Sequence, residues 1–321
     1  MLYPRRTASA RVLGSRSRMD AVATATSPAA IPIKAVATHL GLLPMQPPGY
    51  RQDPLTEAFP GERRFSSRVP LRYVVDEGTG FPGSLVVAFS AAAPDGEPQR
   101  YYTVRALRSV ACTKLFILDD QGPHGPPPRP CWYLGTNRRT EVADSVCELI
   151  AAVAQEIGAP RRGVITCGAS KGGWAALYFA ARFGAGHAVA GEPQVLLGDY
   201  LLQDGTRDIA RHVAGGVSDN DRRYLNQLLF GALRDSPAHP HIHLYCGRGS
   251  SYYLAQADAL IGFLDELRIP AELELELGDY GEHVPDLGRH FPAFLTARLT
   301  ALLERPALER TARSAEHSTR C

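Results

Sequence analysis

One segment near the middle of the chain constrains the fold more than any other. Residues 164–167 are an apolar run typical of a strand, and residues 174–183 form an apolar helical pattern. Between them stands Gly168-Ala169-Ser170-Lys171-Gly172-Gly173. Glycines two positions before and after a serine let the strand and helix approach closely and leave the serine on a sharp, exposed turn. The segment therefore predicts a strand–turn–helix unit with Ser170 as a nucleophile.

A glycine-rich turn that binds phosphate is the alternative interpretation of this segment. A Walker loop requires GxxxxGK[ST], which the sequence lacks. A dinucleotide-binding fingerprint belongs near the first strand, whereas this turn lies in the middle of the chain. The apolar strand and helix on either side favour the nucleophile.

Strand and helix patterns alternate on both sides of the turn. Short apolar runs are typical of buried parallel strands, and the βαβα order predicts a mostly parallel sheet flanked by helices. Polar and apolar residues alternate with period two in the strand at 272–277, which predicts an edge-like strand with one solvent-exposed face. The predicted strands span 71–75, 85–89, 114–118, 164–167, 187–190, 241–245 and 272–277, and the predicted helices span 142–157, 174–183, 257–267 and the region around 291–295.

The ends of the chain lack this pattern, so we predict one domain over residues 49–305. Residues 1–48 are predicted to be a disordered or loosely attached leader, and the polar residues 306–321 a flexible tail. Residues 1–18 are basic and acid-free, which leaves open a targeting segment or a start at Met19. Residues 203–238 interrupt the alternation with a polar helical stretch, which suggests a lid over the site.

The composition excludes several classes of function. A net charge of +2 gives no global field for nucleic acid, and no apolar run is long enough for a membrane span. None of the six cysteines forms a CxxC pair, and no Cys/His cluster has zinc-finger spacing. We therefore expect reduced thiols, a cytoplasmic location, and no metal or organic cofactor. The oligomeric state stays open.

A serine nucleophile needs a base and an acid, which follow it in the order serine, acid, histidine in this kind of site. His283 follows the last predicted strand and is the expected base, with His290 as the second choice. His241 and His243 alternate within a strand and are expected to be structural.

The acid is harder to place, because the loop at 248–252 after the 241–245 strand contains no carboxylate. Glu192, directly after the 187–190 strand, is the expected acid, and Asp199 and Asp258 are the alternatives. A dyad without an acid also remains open.

Two backbone N–H groups are expected to form an oxyanion hole, one from Lys171 and the other from Ser90 or Ala91 after the 85–89 strand. The Lys171 side chain is expected either to bind an anionic substrate group or to lie on the surface.

Several segments in this order resemble α/β-hydrolase relatives from bacterial capsular polysaccharide biosynthesis and from accessory Sec glycoprotein export. The resemblance covers roughly residues 70–300, and the Ser-Lys-Gly-Gly turn is its most specific part. It implies the α/β-hydrolase fold and esterase or acyl-transfer chemistry, including acetylation of a sugar hydroxyl. The chain departs from the usual hydrolase pattern in lacking the acid after the 241–245 strand. The matching segments are Val86–Ser90, Leu118–Gly122, Trp132–Gly135, Ser170–Tyr178 and Pro193-Gln194.

The sequence therefore predicts a serine esterase or acyltransferase that acts on a small-molecule or glycan acyl substrate. The alternative is a non-catalytic hydrolase-fold module that binds a glycan or a partner protein, which the missing acid favours. A peptidase of the same fold is a third possibility.

Overall fold

The computed structural model describes the backbone of residues 11–13, 59–125, 127–281, 283 and 286–318, with side chains from 59 to 305 within those ranges. Nine strands and seven α-helices make up the described part of the chain. The strands are Arg11–Leu13 (β1), Arg63–Phe65 (β2), Leu71–Asp76 (β3), Leu85–Phe89 (β4), Thr113–Ile117 (β5), Val164–Ala169 (β6), His187–Gly191 (β7), His241–Gly247 (β8) and Leu273–Gly278 (β9). The helices are Glu141–Glu156 (α1), Lys171–Phe183 (α2), Leu197–Leu201 (α3), Arg207–Ala214 (α4), Asp219–Arg234 (α5), Ser251–Glu266 (α6) and Asp286–Ser318 (α7).

All nine strands form one sheet in the order β1-β9-β8-β7-β6-β4-β5-β3-β2. The seven strands from β1 to β5 in that order pair in parallel. Strand β3 pairs antiparallel with β5, and β2 pairs antiparallel with β3. The sheet is mostly parallel, as predicted. The carboxyl ends of parallel strands meet at one edge, where ligands bind in open α/β sheets.

Alternate residues of the central strands face opposite layers of helices, because successive side chains of a strand point to opposite faces. Val87 and Phe89 of β4 belong to the apolar cluster that includes Phe179 of α2. Val86 and Ala88 belong to a second cluster with α7, including Leu295. Burial on both faces explains why these strands are continuous apolar runs.

Two sequence predictions differ from the structure at the sheet edge and at the last helix. The strand predicted to be edge-like, β9, pairs with β8 on one side and with β1 on the other. It is therefore not an edge strand, because residues 11–13 of the predicted leader add a strand beside it. The other residues of 1–48 lie outside the described residues. Helix α7 continues to Ser318, through the segment for which the sequence predicts a flexible tail.

Helices α3, α4 and α5 form an insertion between β7 and β8, which includes the polar helical stretch predicted at 203–238. The insertion is tied to the loop before α1, since Arg138 donates to the Ala214 carbonyl at 3.1 Å and to the Asp221 carboxylate at 2.7 Å. Hydrogen bonds from Ser218 and Arg138 lower the pKa of Asp221 to about 2. Within the described residues, no helix combines the length and apolar character needed to cross a membrane.

Candidate active site

Ser170 lies on a strained turn between β6 and α2. Its backbone has φ 55° and ψ −120°, a conformation that a residue with a side chain rarely adopts. A side chain on either flanking glycine would collide with the backbone. A Cβ on Gly168 would lie 2.4 Å from the Gly172 carbonyl carbon. A Cβ on Gly172 would lie 2.2 Å from the Phe89 carbonyl oxygen at the end of β4. The two glycines are thus required for the close approach that raises Ser170 above the sheet edge.

The structure brings Ser170, His283 and Glu192 together in a line. His283, between β9 and α7, has its Nε2 3.0 Å from Ser170 Oγ. Its Nδ1 lies 2.6 Å from the Glu192 Oε2. Because a carboxylate only accepts hydrogen bonds, Nδ1 carries the proton and Nε2 faces the serine hydroxyl as an acceptor. This is the arrangement in which an imidazole can take a proton from a serine.

The Glu192 carboxylate is completely buried, and each of its two oxygens has a hydrogen-bond partner. The residue follows β7 directly and has φ 41°, and its N–H donates to the Tyr245 carbonyl of β8 at 2.9 Å. Its Oε1 accepts the N–H of Gly247, the last residue of β8, at 2.9 Å. The end of β8 thus contributes a backbone donor, and the carboxylate comes from the residue directly after the neighbouring strand, β7.

The other candidates for the acid and the base are placed elsewhere. Asp199 accepts hydrogen bonds from Arg222 at 3.3 Å and from the Asn226 amide at 3.2 Å. Asp258 is exposed on α6. His290 is exposed on α7, where its ring stacks on Tyr280 with ring centres 5.0 Å apart.

Two further residues contact this group, and no sequence pattern gave either of them a role. Gln194 is fully buried, and its Nε2 donates to Ser170 Oγ at 2.7 Å. The Tyr253 ring stacks on His283, with ring centres 4.1 Å apart and planes 15° from parallel. Burial raises the pKa of the Tyr253 hydroxyl, so it stays neutral. The position of Gln194, two residues after Glu192 in the same loop, is the signal that would have pointed to it.

The candidates for the oxyanion hole differ in whether their N–H groups are free. Lys171 is the first residue of α2, where backbone N–H groups have no partner within the helix. The Ser90 N–H instead donates to the Tyr133 hydroxyl at 3.1 Å, and that hydroxyl donates to the Ile117 carbonyl at 3.0 Å. Of the two candidates after β4, Ala91 is therefore the better placed.

The Lys171 side chain neither lies on the surface nor reaches toward a substrate, so both expectations for it are wrong. It is fully buried, and its Nζ lies 2.9 Å from the equally buried Asp119 carboxylate and 4.4 Å from the centre of the Tyr133 ring. Asp119 also accepts the Cys131 N–H at 3.0 Å. Burial, followed by the Asp119 charge, raises the pKa of both Cys131 and Tyr133. The ion pair joins the strand–turn–helix unit around Ser170, here called the nucleophile elbow, to the residues just after β5.

An open cavity of about 350 Å³ lies beside His283. Its walls combine aromatic rings with small polar residues, and one side comes from the insertion. The lining residues are Tyr200 and Gln203 of the insertion, residues 249–253, Gly281 and His283.

The mostly parallel sheet, the elbow after β6 and the histidine after the last strand define an α/β-hydrolase-like fold. No protein-family model matches the chain, and no curated protein sequence matches it. Solved structures do match, and they confirm the predicted fold.

One matching structure is the capsule O-acetyltransferase of Neisseria meningitidis serogroup A, with 22% identity and a TM-score of 0.62 over 74% of this chain and 93% of that one. The glycosylation-associated Gap123 complex of Streptococcus agalactiae matches with 16% identity and a TM-score of 0.60, over 76% of this chain and 47% of that one. The Staphylococcus aureus serine hydrolase FphF matches with 15% identity and a TM-score of 0.53, over 75% of this chain and 97% of that one. An acyltransferase and serine hydrolases are thus built on the same fold.

Replacing Lys171 by Met should destabilise the protein strongly, because the buried Asp119 carboxylate loses its cation. Removing one partner of a buried pair costs about 3–5 kcal/mol. Thermal unfolding should detect a fall in melting temperature of at least about 6 °C for a domain of this size. Arg63→Met is the matched control, because the Arg63–Glu77 pair is exposed and its loss should change little. An equal melting temperature in the two variants would contradict the structural role of Lys171.

Proposed function

We propose that this chain is a serine-nucleophile acyl-transfer enzyme, an esterase or acyltransferase, with Ser170 as nucleophile, His283 as general base and Glu192 as the acid that orients it. The observation that carries the proposal is the hydrogen-bonded line from Ser170 Oγ through His283 to Glu192, at 3.0 and 2.6 Å. Ser170 alone would be a weak nucleophile at neutral pH and needs an adjacent base.

The first half-reaction forms an acyl-enzyme. Ser170 Oγ attacks the carbonyl carbon of the acyl donor while His283 Nε2 takes the hydroxyl proton. The tetrahedral intermediate collapses, the bond to the leaving group breaks, and His283 returns the proton to that group. Glu192 stabilises the imidazolium formed in between and holds Nδ1 protonated.

The second half-reaction reverses these roles. A hydroxyl of water or of a second substrate loses its proton to His283 Nε2 as its oxygen attacks the acyl-Ser170 ester. The ester bond breaks, and Ser170 regains the proton from His283. Water as the acceptor gives hydrolysis, and an alcohol gives acyl transfer.

The negative charge on the carbonyl oxygen is stabilised, in this proposal, by the N–H groups of Lys171 and Ala91. The positive end of the α2 dipole acts at the same point. Gln194 donates to Ser170 Oγ and so holds the nucleophile in place. The buried Lys171–Asp119 pair fixes the backbone from which one of the two donors comes.

The cavity supports a hydroxyl-rich acceptor such as a glycan. Tyr200, Tyr252 and Tyr253 offer ring faces, while Gln203 and Ser251 offer hydrogen bonds. Pockets that bind small molecules combine apolar walls with a few polar groups that fix orientation. Among the structural neighbours are a capsule O-acetyltransferase, also solved with CoA, and a glycosylation-associated protein. We extend the proposal to transfer of an acyl group from a thioester such as acetyl-CoA to a sugar hydroxyl, with Tyr200 and Gln203 of the insertion capping the acceptor.

The alternative, a non-catalytic binding module, rested on the missing carboxylate after β8. The Glu192 carboxylate, which accepts the Gly247 N–H at that position, removes the reason for preferring it.

Covalent labelling tests the proposed nucleophile directly. A fluorophosphonate should add one adduct to the intact mass of the wild-type chain, because Ser170 is activated by His283. Ser170→Ala should abolish the adduct. Ser251→Ala, which removes a serine of the nearby cavity wall, should label like the wild type. Labelling that persists in Ser170→Ala, or a wild-type chain that takes no label, would contradict the proposal.

The acceptor site is tested by removing one aromatic wall. Tyr252→Ala should raise the KM for a glycan acceptor about fivefold, because an aromatic contact contributes about 1 kcal/mol. The rate of fluorophosphonate labelling should stay unchanged, since none of the hydrogen bonds described for Ser170 and His283 involves Tyr252. Tyr102→Ala is the matched control, because Tyr102 is 41% exposed and Tyr252 is 38% exposed. If both variants have the same KM for the acceptor, the cavity is not the acceptor site.

A further inference from the structure

Three histidines cluster at the edge of the sheet opposite Ser170. His187 and His241 are the first residues of β7 and β8 and are direct neighbours in the parallel register, and His243 follows two residues later. Their alternation puts them on the face covered by α7, like Val189 and Tyr245. The rings stack with centres 4.6–5.5 Å apart, and one ring nitrogen from each lies within 4.8 Å of the others.

The closest pair of nitrogens has the spacing of two ligands on one metal ion. His187 Nδ1 lies 3.3 Å from His243 Nε2. Without an ion, the two rings share a hydrogen bond at this distance. Two nitrogens bound to a tetrahedral zinc ion at about 2.0–2.1 Å are separated by about 3.3 Å.

His243 also has an unexplained nitrogen. The residue is 1% exposed, and its Nδ1 has no hydrogen-bond partner among the described residues. This nitrogen faces the Glu274 carboxylate, and the other ring nitrogen, Nε2, is the one that lies near His187.

A carboxylate stands behind the cluster in the position that orients a ligating histidine. Glu274 Oε2 lies 3.7 Å from His243 Nδ1, beyond a hydrogen bond, and Oε1 lies 3.3 Å from His241 Nε2. Arg298 of α7 fixes the same carboxylate at 2.7 Å. Ligating histidines commonly direct their second nitrogen at such a carboxylate.

We propose that His187, His241 and His243 bind one divalent transition-metal ion of the zinc class, with the Glu274 carboxylate beside His241 and His243 and with water completing the coordination. Imidazole ligands suit zinc, copper and nickel more than magnesium or calcium. The site lies about 16 Å from Glu192 along β7, at 3.3 Å per residue, so it is separate from Ser170. It would join β7 and β8, beneath α7, and is independent of the acyl-transfer proposal.

Metal titration of the full chain, purified without a polyhistidine tag, tests this site. Zn²⁺ competed against a chromogenic chelator should bind one ion per chain, and Co²⁺ should give the visible absorption of a tetrahedral site. His187→Gln and His241→Gln should each weaken Zn²⁺ binding by at least about 100-fold, since loss of an orienting group already costs 10–100-fold. Glu274→Gln should weaken it by about 10–100-fold.

The exposed His290, outside the cluster, provides the matched control, and His290→Gln should bind Zn²⁺ like the wild type. Melting curves of each variant without metal establish that it is folded, and the half-buried His187 and His241 are chosen because they tolerate Gln better than His243. A wild-type chain that binds no Zn²⁺ overturns the proposal. Equal affinity in wild type, His187→Gln and His241→Gln overturns it as well, because the cluster is then a packing arrangement of neutral rings.

Discussion

The buried carboxylate of Glu192 is the interaction on which the rest of the site depends. A charge removed from water is tolerated only when hydrogen bonds or an opposite charge replace its hydration. Here the Gly247 N–H satisfies one oxygen and the His283 ring the other. These bonds connect β7, the end of β8 and the loop before α7, so the three chain segments hold one another in position.

A second buried charge organises the other side of the elbow. The Lys171–Asp119 pair is fully removed from solvent, and Asp119 also binds the Cys131 backbone. Such a pair contributes little net stability, but it is costly to break, so it enforces one arrangement of the chain. The turn at Ser170 is thus held by the Lys171–Asp119 salt bridge and by the close packing of Gly172 against the end of β4.

The sequence predicted the features that local patterns determine. The strands, the helices and the elbow follow from apolar runs, from helical periodicity and from two glycines whose positions admit no side chain. Glu192 was also selected from local information, because it ends the strand before the carboxylate-free loop. The features that sequence reasoning missed depend on distant partners. Lys171 is buried because Asp119 lies 52 positions earlier in the chain, and the edge of β9 is covered by residues more than 250 positions away.

The most direct measurement of the central claim is the rate of fluorophosphonate labelling of Glu192→Gln. Gln keeps the shape and still accepts the Gly247 N–H, but it no longer stabilises the imidazolium or selects the tautomer of His283. The labelling rate should fall by about 10⁴-fold with the melting temperature little changed, as when the acid of a serine triad is replaced by its amide. Asp199→Asn, at the alternative acid, should label at the wild-type rate. A Glu192→Gln protein that labels within about tenfold of the wild type, a loss of less than 1.4 kcal/mol in the barrier, would contradict the account.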